Sequence, residues 1–160
     1  MFSLVNVVPK HGDAWHDGAA DHTENDNDGY MMLINFGTDR EEIFRMTVDN
    51  LCVGSYYLFS AYTANIVRKI MNMSKPNVAF EVQGAIIENQ VLTNCFANQI
   101  SDYDKLIWTK YSLPFKAWNS SVGLLIISNF GDLAGDDLVI DDIELRACST
   151  VHCGICPPGQ

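Results

Sequence analysis

Residues 135–148 read G-D-D-L-V-I-D-D-I-E-L-R-A-C, and two halves of this stretch pull against each other. Leu138, Val139, Ile140, Ile143 and Leu145 mark a buried β-strand, while Asp136, Asp137, Asp141 and Asp142 sit in it or lead into it. A carboxylate in an apolar strand is costly unless it is paired or metal-bound. Arg146 is the only basic residue of the stretch. A hard cation such as Ca²⁺ takes carboxylate and carbonyl oxygens. The stretch therefore predicts a cation at Asp141, with Asp136 and Asp137 as weaker candidates. The competing reading is a solvated acidic turn that runs into an edge strand.

A second acidic segment, residues 10–28, carries five aspartates with neither helical nor strand periodicity. Loops of this length in a compact domain are usually functional or ordered by an ion. Aspartates this dense repel one another, so a cation would help to hold the loop; the alternative is a solvated acidic loop. His11, His16 and His22 lie in it and read as solvated rather than as zinc ligands.

The rest of the chain reads as strands. A first strand spans residues 2–8, closed by Pro9, and 29–36 is a continuous apolar strand. Residues 41–48 alternate, 56–65 form a long aromatic-rich strand, and 77–82 place Val78, Phe80 and Val82 inward. Residues 86–92 are its expected hairpin partner. Residues 106–115 follow, with Pro114 marking an edge or a bend. Residues 121–128 are nearly all apolar and so buried on both faces. Residues 66–76 favour extended chain over helix, because Lys75 precedes Pro76. Eight to ten strands with turn residues between them predict an all-β sandwich, with jelly roll the first choice. If the first and last strands lie side by side, the 10–28 loop ends near the acidic strand and both carboxylate sets share one ion.

One hundred and sixty residues suit one domain, here 1–148, with 149–160 as a Cys/Pro-rich tail or linker. The balance of 10 basic to 20 acidic residues argues against a nucleic-acid or anionic-membrane partner. No apolar run is long enough to span a membrane. The opening M-F-S-L-V-N-V-V-P-K lacks a basic n-region and a small-residue cleavage site, so any export signal is expected outside these residues.

Cys52, Cys95, Cys148, Cys153 and Cys156 fit neither a common zinc module nor a redox C-x-x-C context. Disulfides in an oxidising compartment are the better reading, with one thiol left over. Sequons at Asn72 and Asn119 agree with a secreted or cell-surface chain.

Asp21-His22-Thr23, Gly29-Tyr30-Met31 and the 135–143 stretch with Cys148 together resemble the D-H-T…G-Y-M…G-D-L-A-L-D-D-I…C signature of MAM domains. The middle, V-D-N-L-C-V-G-S-Y-Y-L-F-S-A-Y-T-A-N with K-P-N-V-A-F-E-V, resembles the galactose-binding-like jelly rolls repeated in large surface adhesins. The resemblance covers residues 2–148. It implies an extracellular, non-catalytic jelly roll used in adhesion or glycan binding, often with a structural cation near the D-H-T loop and the D-D-I strand. N-L-C-V-G stands where N-L-C-P-G is usual, and the full MAM cysteine set is absent, so homotypic adhesion does not carry over. With the residue reading, this gives a Ca²⁺ site at Asp21 and Asp141, with the Thr23 carbonyl and with Asp28 or Asp142 as further ligands. Cys52 opens a strand and Cys148 closes the last one. Such ends can meet in a sandwich, and the resembling families often join a late cysteine to an earlier one, so a Cys52–Cys148 disulfide is expected. The partners of Cys95, Cys153 and Cys156 stay open.

No G-x-S-x-G, H-E-x-x-H or Gly-rich phosphate loop is present, which argues against an enzyme. Sugar binding needs a stacking aromatic among convergent polar groups. Trp15 and Tyr103 in loops, and Trp118 beyond the Pro114 bend, are the candidates; Trp108 reads as core. The expected partner is a glycan or another extracellular protein, with self-assembly or tandem repeats in view. The alternative is a structural subunit of an extracellular filament or matrix, linked through the Cys-rich tail.

Overall fold

A computed structural model describes residues 2–26, 28–35, 41–84, 91–97, 99–128 and 137–148. The expected tail, residues 149–160, with Cys153, Cys156 and the filament reading that rests on them, lies outside the described residues, as does Asp136.

Two antiparallel sheets face each other. The first has the order β1 (Phe2–Val5), β2 (Met31–Ile34), β9 (Leu138–Ala147), β4 (Tyr56–Asn65) and β7 (Thr109–Lys116). The second has the order β3 (Glu42–Val48), β8 (Val122–Ser128), β5 (Val78–Gly84) and β6 (Val91–Phe96). The jelly-roll expectation holds. β4 runs over the residues its pattern predicted, and β7 with Pro114 is an edge strand. The first and last strands are not neighbours: β2 lies between them, paired to both. The hairpin partner of β5 is β6, described from Val91; residues 86–90 of the expected partner lie outside the described residues.

Period-two alternation builds the core. Tyr57, Phe59 and Ala61 of β4 meet Val78, Phe80 and Val82 of β5 and Val122, Leu124 and Ile126 of β8. Phe59 and Phe80 are fully buried, edge to face at 5.4 Å. β3 departs from simple alternation. A register shift between Glu42 and Phe44 brings both Ile43 and Phe44 against the core, while Met46, on the same face as Phe44 and Val48, is exposed.

A second core lies on the outer side of the first sheet. Val8, Trp15, Met31, Leu33, Ala64, Ile66, Val67 and Val139 pack there, so the loop after β1 folds back over the sheet as a third layer. Trp15 is 6 % exposed, bridges to Val67, stacks on His11 at 4.4 Å, and donates its indole N–H to Asp137 at 3.1 Å. The expectation of Trp15 as a ligand-binding aromatic is therefore corrected. The loop is polar by composition, yet it needs one large apolar side chain to anchor it, and Trp15 is that anchor.

Cys52 is exposed and free, while Cys95 and Cys148 are disulfide-bonded. The expected Cys52–Cys148 bond is thus not formed. Cys148 closes β9 opposite Tyr56, where its N–H meets the Tyr56 carbonyl. The turn that holds Cys52 bends instead toward the end of β7, tied there by Gly54 N–H to the Ala117 carbonyl and Ala117 N–H to the Ser55 carbonyl.

Candidate functional site

Two regions gather polar chemistry, one on each sheet. The first is the junction of the D-H-T loop with β9. β9 carries one extra residue against β4: Ser60 faces Glu144, but Tyr62 faces Asp141. Asp142 takes the left-handed conformation at φ 48° in this bulge. The bulge explains how a strand with a buried apolar face tolerates Asp141-Asp142: Asp142 is the unpaired extra residue, and Asp141, still opposite Tyr62, meets the loop's backbone N–H. Asp141 accepts the His22 backbone N–H and the Asp142 N–H, each at 2.8 Å. Asp142 meets His22 Nδ1 at 2.7 Å and accepts the Thr23 hydroxyl at 3.1 Å. The His22 ring lies flat on Tyr62, with centroids 3.5 Å apart.

Asp21 completes this junction. Gly29 is buried beneath it. A Cβ built on Gly29 would overlap the Asp21 carboxylate and lie 2.8 Å from Oδ2 of Asp26. Two carboxylates thus crowd a cradle that only glycine leaves open. Burial first, then the charges of Asp141, Asp26 and Asp142, hold the Asp21 carboxyl above the ordinary range, and His22 pulls slightly the other way. Asp28 is exposed and is not among these neighbours; its carbonyl takes the Asn6 amide at 2.8 Å. The Thr23 carbonyl is met by Asp26 N–H at 3.4 Å. Sequence reasoning left Asp26 out. Among the described residues, no three His, Cys, Asp or Glu side chains stand in a ready metal-ligand arrangement.

The second region is the outer face of the second sheet. Val78, Phe80 and Val82 point into the core, so Ala79, Glu81 and Gln83 point away from it. Glu81 is nevertheless 2 % exposed and Gln83 6 %. They floor a groove of about 300 Å³ with Glu42, Arg45, Val91, Leu125 and Ile127. Gln83 donates to Glu81 at 3.2 Å and accepts from both terminal nitrogens of Arg45 at 3.5 Å. Arg45 Nε is held by both oxygens of Glu42 at 2.9 Å. A planar cation, two carboxylates and an amide therefore converge over an apolar floor, which suits a ligand rich in hydroxyl groups. The sequence signal was indirect: β8 is apolar on both faces, so the outward residues of its neighbour β5 lie in a recess rather than in open water.

The remaining candidate aromatics lie outside both regions. Tyr103 and Trp118 are exposed, at 42 % and 51 %. Trp108 is half-buried against the second core. Asn72 and Asn119 are both exposed, as sequons require. Among the described residues, no helix is long and apolar enough to cross a membrane.

No protein-family model and no curated protein matches the chain. Solved structures do match, over nearly all of it. TmCBM61, solved with β-1,4-galactotriose, is 14% identical with a TM-score of 0.57, over 91% of this chain and 81% of that one. A Stig cyclase, Fisc from Fischerella sp. TAU, is 13% identical with a TM-score of 0.59, over 91% and 74%. The tailspike protein 4 of bacteriophage CBA120 is 10% identical with a TM-score of 0.51, over 92% of this chain and 18% of that one. At these identities the likeness is one of fold, and it agrees with the jelly-roll sandwich described above.

Proposed function

We propose that the protein is a non-catalytic, secreted or cell-surface module that binds a glycan in the groove over β5 and β8 and holds a structural Ca²⁺ at the D-H-T junction. The observation that carries the first part is the pair Glu81 and Gln83, almost inaccessible on the face of a central strand that points away from the core. Burying a carboxylate is costly, and a hydrophobic pair would make a simpler sheet. A recess of charged and amide groups instead offers paired donors and acceptors to neighbouring sugar hydroxyls, above the apolar floor of Leu125 and Ile127. The chain shares its fold with a galactotriose-bound module and a cyclase, and absence of a nucleophile motif favours binding over turnover.

Asp21, Asp26 and Asp141 would hold the cation, with the Thr23 carbonyl and Asp142 as the next oxygens. The bound ion supplies charge neutralisation to the loop that carries Trp15. The groove and the junction lie on different sheets of the sandwich, so the ion would act on stability rather than touch the sugar.

A glycan array probed with the whole chain, beside Glu81→Ala and Gln83→Ala, tests the groove. Binding by the native protein is expected to fall at least about tenfold in each variant, the loss of one or two buried hydrogen bonds. Native binding that both variants retain would place the sugar elsewhere.

A further inference from the structure

A third feature adjoins the D-H-T junction and shares His22 and Asp142 with it. Below the loop layer, the outer face of the first sheet is open and carries an ordered set of cations. Directly opposed residues share a face: Tyr56 with Lys116, Leu58 with Pro114 and Arg146, Ser60 with Ser112 and Glu144, Tyr62 with Lys110. Lys110, Lys116 and Arg146 are three of the ten Lys and Arg residues of a chain whose net charge is −10. Glu144 is the carboxylate set among them, and it acts as a clamp. Its Oε1 accepts Ser60 Oγ at 3.0 Å and Lys110 Nζ at 2.5 Å; its Oε2 accepts Arg146 Nε and Nη2, each at 2.8 Å. Burial works to raise the Glu144 pKa, but the hydrogen bonds from Lys110 and Ser60 and the charges of Lys110 and Arg146 outweigh it. Lys110 also lies 5.3 Å above the Tyr62 ring, and Lys116 6.0 Å from that of Tyr56. At the far end, Asp142 is bonded to His22 and Thr23.

The cations are thus held in place before any ligand arrives, and each keeps donors to spare. Lys110 retains two N–H groups beyond Glu144, and the Arg146 side chain is 69 % exposed. A shallow hollow of about 410 Å³ opens between them, lined also by His22, Tyr62, Asp142, Ile143 and Glu144; the Asp142 carboxylate is turned to His22 and Thr23. From Lys110 to Lys116 the row runs about 20 Å along the strand, at ~3.3 Å per residue. Half-buried Tyr56, Leu58 and Pro114 give it apolar ground, and half-buried Ser112 gives it a hydroxyl.

We infer that this face is a second binding surface, for a glycan chain bearing carboxylates, of the oligogalacturonate class. A planar guanidinium matches a carboxylate fork to fork, and spaced cations on a strand match spaced charges on a polymer. An acidic peptide offers the charges too, but it does not use the apolar and hydroxyl ground between them. This surface does not depend on the groove over β5.

The test titrates the whole chain with oligogalacturonate, with a neutral galacto-oligosaccharide of equal length, and with an oligoglutamate, at low and raised salt. Expected is binding of the uronate in preference to the other two, weakened by salt. Lys110→Gln and Arg146→Gln are each expected to lower it about tenfold, the loss of one charge-assisted hydrogen bond. Glu81→Ala is expected to leave it unchanged. No uronate binding at low salt, equal binding of the oligoglutamate or the neutral sugar, or native affinity in the Lys110→Gln/Arg146→Gln double variant overturns the inference. Loss of uronate binding in Glu81→Ala alone would assign it to the groove and likewise overturn it.

Discussion

Replacing Asp21 with Asn separates the cation reading from a merely crowded acidic turn. In the metal-free protein, burial and the charges of Asp141, Asp26 and Asp142 raise the Asp21 pKa. A carboxyl whose folded pKa lies above its unfolded value costs stability in full above the folded pKa, and that cost is gone below the unfolded value. At neutral pH the native protein carries the cost and Asp21→Asn does not. In EDTA the variant is therefore expected to melt at or above the native temperature. Calcium reverses the order. An ion at a hundred times its Kd stabilises by about 2.7 kcal/mol. For a chain of this size each kcal/mol is worth roughly 2–4 °C, so the native midpoint is expected to rise by about 5–11 °C. The variant has lost a carboxylate over the Gly29 cradle and is expected to gain much less. Scanning calorimetry of both proteins in EDTA and in excess Ca²⁺ gives the four midpoints. If the native midpoint is the same in both buffers, the cation reading is refuted. A full calcium response in Asp21→Asn would remove Asp21 from the ligand set.

Three further outcomes follow from particular contacts. Trp15→Ala removes the anchor of the loop layer and is expected to cost about 3–5 kcal/mol in denaturant unfolding, the usual range for emptying a large aromatic site. The Glu144 pKa is depressed in the fold, so its contribution is present above the ordinary carboxylate range and lost as pH falls through the folded value. The unfolding midpoint of the native protein is thus expected to drop more steeply with acid than that of Glu144→Gln over that window, and equal slopes would discount the clamp. A thiol reagent applied to the folded, unreduced protein is expected to label Cys52 and to spare Cys95 and Cys148; mass mapping of the label checks it.

Much of the sandwich was legible because each strand reports its own burial. β4, β8 and β9 announce themselves by apolar pattern, and those patterns are local. The bulge in β9 was legible in principle. Leu138 and Ile140 pack in the core, as do Ile143 and Leu145, and the step of three between Ile140 and Ile143 breaks a period of two. The neighbours of a strand are not local. The intrusion of β2 between the first and last strands depends on pairing across the fold, which no single segment encodes. Trp15 was misplaced for the same reason: composition describes a loop's solvent preference on average, not the one side chain that docks. With Val78, Phe80 and Val82 inward, Glu81 had to point outward, but a single strand does not tell whether its outward face is washed or recessed.

The loop layer over the first sheet has a consequence for how the molecule opens. Its backbone ties include Val8 N–H to Ala19, His16 N–H to Ile66, Gly18 N–H to Val8, and Arg68 N–H to Ala14, beside the Trp15 bond to Asp137. The core between the sheets does not need it. Such a layer forms its own cooperative unit, able to detach while β4, β5 and β8 stay paired. Amide exchange would then run in two classes, an early one at these four residues and a late one in the central strands. A cation that joins Asp21 to Asp141 fastens the end of that layer to β9, and so sets how often it lifts.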